Sequence, residues 1–282
     1  MRLKSVLSVL GLLVVSVVAV VLGGKARLER VNSQLVDELL AAATTRSDHV
    51  FTKDDLDGLP EPVQRYLDTV LTEGQPYVRA VRLRQHGEFR LGDADAPWKP
   101  LEATQHVTTA PPGFLWDAVI EMAPLVSVRV VDMYKDGTGA LRAKLLSTVP
   151  VANADPSPEL DAGELMRYLG ESVWYPTALL PSEGVEWEPI DERSARATLE
   201  HRGTAASLVF YFNGRNEVER VSAERPYRKD DGTYESTPWT GYWRNYQVRD
   251  GVRIPIDGEV EWHLPEGDLP YWRATVEEIE YT

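Results

Sequence analysis

The sequence of 282 residues contains no cysteine. That excludes a disulfide framework, thiolate metal sites, a thiol nucleophile and the lipidated cysteine of a bacterial lipoprotein, while fitting either redox compartment. Histidine is scarce: there are five, and His49, His86, His106 and His201 lack metal-ligand spacing. Neither a glycine-rich phosphate loop nor a G-x-S-x-G elbow occurs, which speaks against a cofactor enzyme. Basic charge is also short, with 30 Lys and Arg against 44 Asp and Glu, a formal charge of -14. The basic residues are scattered and form no stripe, so nucleic acid is not an expected partner. An acidic surface is also repelled by anionic lipid headgroups, so attachment to a membrane must come from apolar sequence.

Apolar sequence is present. Arg2 and Lys4 precede an unbroken apolar or small run from Ser5 to Leu22, followed by Gly23, Gly24 and Lys25. As a helix the run spans roughly 27 Å, near the thickness of a bilayer's hydrocarbon core. A cleaved signal peptide has a shorter apolar run and a small-x-small site, for which Val18-Ala19-Val20 is a poor match. Residues 1–24 are therefore expected to be an uncleaved transmembrane anchor. Lys25, Arg27 and Arg30 balance the charge on the other side, but a short basic tail before a first apolar segment usually stays inside. The expectation is a single-pass cell-membrane protein with its body outside the cytoplasm.

Leu28, Val31, Leu35, Leu39 and Ala42 recur at helical intervals, which predicts a helical stalk over residues 25–50. A second helix is signalled by Leu59-Pro60-Glu61-Pro62 and the stripe Val63, Tyr66, Leu67, Val70 and Leu71. Beyond Gln75 the period becomes two. In Val81 to Leu91, Val81, Leu83, Phe89 and Leu91 share one face, and Arg82, Arg84, His86, Glu88 and Arg90 the other. Similar alternation recurs in Phe114 to Met122, Val126 to Asp132, Leu141 to Val149, Ala195 to Leu199, Trp239 to Val248 and Trp272 to Tyr281. Turn signals separate these runs at Gly92-Asp93, Pro111-Pro112-Gly113, Asp136-Gly137, Asn213-Gly214, Asp231-Gly232 and Asp250-Gly251. Such short connections imply antiparallel neighbours. One helix interrupts the strands, with Asp161 and Glu164 at capping-box spacing and Pro176 closing the segment. With no repeat or linker in between, residues 51–282 are expected to form a single mainly β domain with added helices.

Several stretches carry a family resemblance: GLPEPVQRYL at Gly58 to Leu67, APPGFLWDAVIEMAP at Ala110 to Pro124, GELMRYLGESVWYPTALLP at Gly163 to Pro181, GVRIPIDGEVEW at Gly251 to Trp262, and the final LPYWRATVEEIEYT. Over nearly its whole length the chain resembles an uncharacterised bacterial family of membrane-anchored proteins classed as a domain of unknown function. The resemblance implies the anchor and the single domain, and brings no activity or catalytic residue. Successive strands, helices before and within them, and Pro-Gly-Phe-x-Trp at Pro112 to Trp116 are also similar to the periplasmic lipoprotein-carrier fold. That likeness implies a strongly curved antiparallel sheet or half-barrel covered by helices.

Three constellations are candidates for chemistry or binding. Glu259, Glu261 and His263 share a strand face where a metal or acid–base pair could be built, but a sheet wet on one side shows the same alternation. Glu164, Arg167 and Glu171 sit on adjacent helical turns, which reads as ordinary surface ion pairs. The aromatics Trp116, Trp174, Tyr175, Trp239, Trp243 and Trp272 either fill a core or line a cavity in a curved sheet. These six are the expected ligand-binding residues. No catalytic residue, metal or cofactor is expected. The resulting reading is a membrane-tethered, non-catalytic binding protein for a lipid-like or apolar ligand. Its rivals are a structural or interaction subunit of an envelope complex and a hydrolase using the clustered carboxylates. An apolar void of about 300 Å³ or more separates the first from a filled subunit.

Overall fold

A computed structural model describes residues 2–43, 49–154, 156–229 and 231–282, with the side chains of residues 2–7, 9–11, 14 and 17 outside that set. The first helix, α1, runs unbroken over Arg2–Ala42. Many side chains of the Ser5 to Leu22 run lie outside the described residues, and among the described residues no helix is long and apolar enough to cross a membrane. The later part of α1 lies against the body: Leu28 and Leu39 are buried, and Leu39 packs with Leu115 and Val131. Asn32 donates to Asp117 at 2.9 Å, tying the helix to the sheet.

Helix α2, Glu61–Val70, starts at its prolines as the sequence predicts and buries Val63, Tyr66, Leu67 and Val70. Helix α3 is Pro158–Glu171. It begins earlier than the Asp161 cap expected from sequence. Ser157 is the N-cap, its hydroxyl accepting from Leu160 N at 3.2 Å, and Pro158 fills the first turn. Asp161 instead accepts from Gly139 N at 2.6 Å.

Thirteen strands among the described residues form one antiparallel sheet: β1 Ala80–Arg90, β2 Trp98–Thr109, β3 Pro112–Ala123, β4 Val126–Lys135, β5 Thr138–Leu145, β6 Val149–Ala154, β7 Val185–Asp191, β8 Ser194–His201, β9 Thr204–Phe212, β10 Val218–Arg228, β11 Tyr234–Arg249, β12 Val252–Leu264 and β13 Gly267–Tyr281. Their spatial order is β6-β5-β4-β3-β2-β1-β13-β12-β11-β10-β9-β8-β7. Two meanders of opposite sense therefore meet at the centre, where β1 pairs with β13. Five of the six turn signals fall in strand connections, and the sixth, Pro111-Pro112-Gly113, runs from the β2–β3 turn into the start of β3. The Leu141 to Val149 run is two strands, because Leu146 and Ser147 take positive φ and fold the chain back.

The sheet curls into a half-barrel. The tips of its wings approach where Tyr134 Oη lies 3.0 Å from His201 Nδ1 and where a side chain on Gly137 would run into Arg202. Among the described residues the edge strands β6 and β7 do not pair with each other. Helix α3 crosses the concave side, packing on β9 and β10 of one wing and on β4 and β5 of the other. The core lies between this concave face, α2, α3 and the 3-10 turns Ser172–Trp174 and Pro176–Leu179. The convex face is polar outside the patch where Leu115 and Val131 meet α1. Across the central seam Arg82 pairs with Glu280, Arg84 with Glu278 and Arg273 with Glu88, as the charged face of Val81 to Leu91 requires.

A candidate ligand cavity on the concave face

A cavity of about 370 Å³ lies between α3 and the concave face. Glycines on the sheet make room for its aromatic floor. A Cβ on Gly258 would sit 2.8 Å from the Trp243 ring and 3.1 Å from the Trp272 ring, and one on Gly241 3.0 Å from the Trp239 ring. Bare backbone thus lets three indoles lie close to the sheet. Trp116 from β3 and Trp262 and Tyr271 from β12 and β13 extend the wall. Several are held in place: Trp116 Nε1 donates to Gln85 Oε1 at 2.9 Å, and Trp239 Nε1 to the Tyr271 hydroxyl at 3.0 Å.

Charge meets this wall under α3. Arg167 donates to Asp132 Oδ2 on β4 and to Glu171 Oε1, while its guanidinium lies 4.8 Å from the Phe114 ring and 5.0 Å from the Trp116 ring. Arg225 on β10 donates to the Gly163 carbonyl at 2.8 Å and lies 4.6 Å from the Trp239 ring. Gln105 caps Glu171 at 2.6 Å. Glu164, 6% exposed, faces the cavity from α3. The expectation that Glu164, Arg167 and Glu171 are surface ion pairs is corrected: α3 turns them inward, where Asp132 and Arg225 complete a buried network. A buried network of this kind is costly to break at one member, on the order of 3–5 kcal/mol.

Burial pushes the Glu164 carboxyl well above the ordinary 4.5, and the neighbouring Asp132 charge pushes it the same way. Burial works against the Arg167 charge, but Glu171, Asp132 and Glu164 around it more than compensate, so it stays cationic. Tyr271 is raised by burial.

Of the six aromatics singled out by sequence, Trp116, Trp239, Trp243 and Trp272 line the cavity. Trp174 and Tyr175 do not. Both are fully buried in the core, Trp174 donating to the Pro255 carbonyl and meeting Trp243 edge-on at 5.0 Å, and Tyr175 donating to the Tyr168 carbonyl. Sequence reasoning missed Asp132 and Arg225, yet both carry a signal. Asp132 is in phase with the inward Val128 and Val130, and Arg225 with the inward Val221. A charge standing where alternation demands an apolar residue marks a buried functional or structural contact.

On the polar face, Glu261, His263 and Asp268 bring ligand atoms within 4.8 Å of one another. Each already has partners: His263 bonds Thr240 and Asp268, and Glu261 accepts from the Tyr242 hydroxyl. Glu259 stands apart, paired with Arg244 at 3.0 Å.

Comparison with known proteins adds a family. Among solved structures the chain is similar to a LolA superfamily protein from Nitrosomonas europaea, at 10% identity and a TM-score of 0.36 over 78% of this chain and 92% of that one. It is also similar to a β-barrel-like protein of domain of unknown function DUF1849 from Brucella abortus, at 9% identity and a TM-score of 0.23 over 73% of this chain and 99% of that one. No curated protein matches the sequence. The family of unknown function DUF6920 matches residues 57–281, and the chain belongs to that family.

Proposed function

We propose that the protein is a non-catalytic binding protein that holds a lipid-like or otherwise apolar molecule between its concave sheet and α3, tethered to the cell membrane by the Ser5 to Leu22 run. The observation that carries this reading is the cavity of about 370 Å³ walled by Trp116, Trp239, Trp243 and Trp272. Its size lies within the range of ligand pockets, about 300–1,000 Å³, and its lining combines aromatic walls with a few converging polar groups. A structural subunit needs no such void, because close packing is what stabilises a core. With the run as an anchor, a short basic tail leading and the body outside the cytoplasm, the cavity would face the envelope.

The test is direct. Full-length protein is extracted from membranes with a neutral detergent, and co-purifying lipids are identified by mass spectrometry beside a Trp272→Ala variant. The expected result is a stoichiometric apolar species in the parent and a smaller amount in the variant. Parent protein that never retains such a molecule, and whose tryptophan fluorescence ignores added amphiphiles, would defeat the reading. Release of the chain by carbonate washing would defeat the tether.

A further inference from the structure

We infer that the molecule this cavity takes carries an ammonium group, seated between the carboxylates of Asp132 and Glu164 and the tryptophan wall. The inference rests on the reading of the cavity as a ligand site and adds the chemistry of the ligand's head.

The argument is a balance of charge and of hydrogen bonds. Three carboxylates, Asp132, Glu164 and Glu171, meet two guanidiniums, Arg167 and Arg225, under α3, and the exposed Glu159 and Arg228 on the same lining offset each other. Glu171 is satisfied by Arg167 and Gln105. Arg167 is committed to Glu171 and Asp132, and Arg225 reaches the Gly163 carbonyl. Two carboxylate oxygens are left over: Asp132 Oδ1 and Glu164 Oε2 are buried without a partner, on side chains that are each more than nine-tenths buried. An unpaired buried carboxylate oxygen is costly, and Glu164 relieves the surplus by holding a proton. An anionic head would add to the surplus. An ammonium would remove it, let Glu164 ionise, and present its charge to indole faces, which attract cations by about 0.5–2 kcal/mol or more when desolvated. Arg225 Nε and the indole N–H groups of Trp243 and Trp272 also lack acceptors.

Binding of the cation then expels the Glu164 proton, so affinity is linked to pH. The groups facing Glu164 are Asp132 from β4, Arg167 and Glu171 from α3, Arg225 from β10 and Tyr271 from β13. Arg167 stays cationic and Tyr271 stays neutral from pH 6 to 8, so Glu164 supplies the dependence.

Eight-carbon probes with matched tails test the idea on the full chain in neutral detergent: octylammonium, octanol and octanoate, titrated by calorimetry at pH 6 and pH 8. The expected result is octylammonium binding at least about tenfold tighter than either other probe at pH 8. Its affinity should fall toward pH 6, approaching tenfold per unit wherever Glu164 must lose a proton, and its enthalpy should vary with the buffer as a proton is released. Glu164→Gln should abolish both the preference and the pH dependence. Asp132→Asn should weaken the preference and, by removing a charge that raises Glu164, move the pH dependence to lower pH. Octanol or octanoate binding as well as octylammonium would overturn the inference and leave the apolar cavity standing. Binding of none of the three would overturn both. Should either variant fail to fold, the ranking of probes on the parent protein decides alone.

Discussion

Glu164 shows how one residue couples the cavity to stability. Its carboxyl is held above the ordinary 4.5 by burial and by Asp132, so the native state binds that proton more tightly than the unfolded chain does. Its contribution to stability is therefore full below about pH 4.5 and is lost as pH rises toward the folded-state value. Glu164→Gln keeps the shape and hydrogen-bonding surface but cannot ionise. The variant should lose less stability than the parent between pH 5 and pH 8, measured as the urea midpoint at both pH values. Groups such as His106, whose pKa burial lowers, contribute equally to both proteins, so the difference isolates Glu164. Equal slopes would mean that Glu164 titrates normally. At this scale the sequence displays residue types but hides their surroundings. Glu164, Arg167 and Glu171 have the spacing of a solvent-facing ion-pair helix, and only the placement of α3 across the cup turns that face inward. Trp174 and Trp243 look alike in sequence, yet one is sealed in the core and the other walls the cavity.

Among elements, the strands that alternate strictly are those that composition reveals, because period two is imposed by one dry face and one wet face. Along β1 the charged side alternates regularly, and it becomes the ion-pair ladder to β13. Strands β2 and β9 were not legible: β2 turns Gln105 and Thr109 inward, and β9 runs apolar on both faces through Leu208, Val209, Phe210 and Tyr211. The β5–β6 turn was hidden because Leu146 and Ser147, not glycine or asparagine, adopt its positive φ. The start of α3 was readable from Ser157-Pro158-Glu159, a better N-terminal signal than Asp161. What no periodicity reports is depth, which β11 and β12 gain through glycine. Gly258→Ala places a methyl 2.8 Å from the Trp243 ring and 3.1 Å from the Trp272 ring. The rings must tilt into the cavity, at a cost of about 1–3 kcal/mol for overpacking. Ligand affinity should fall along with the midpoint of unfolding. A variant that binds as the parent does would show that these rings do not bound the site.

For the whole molecule, the sheet order places the first and last strands side by side at the centre. Each wing is a meander of local hairpins, but the cup exists only when β1 finds β13 across up to 200 residues, as in the Val81–Tyr281 pair. Exposed ion pairs on the convex side contribute little to holding that seam, typically 0–1 kcal/mol each. Backbone pairing and the apolar inner face must therefore hold it. At Gly87 the two backbones of this seam leave no room for a side chain: a Cβ there would meet the Arg273 carbonyl and lie 2.6 Å from the Ala274 Cα, and backbone cannot swing aside as a flexible side chain can. Gly87→Ala should thus pry β1 from β13 at mid-strand while leaving both wings' hairpins untouched. The expected outcome is a loss of more than about 2 kcal/mol, large for an alanine in a strand and attributable to strained pairing. Because the seam is the longest-range contact in the fold, the variant should also refold more slowly if β1–β13 pairing limits the rate, since non-local closure is what slows β-rich folds. Hydrogen exchange gives the decisive view: protection should drop first at the amides of β1 and β13, with the outer hairpins β4–β5 and β8–β9 unchanged. Uniform loss across the sheet would instead mean that the cup unfolds as one unit, with no weak line at its centre.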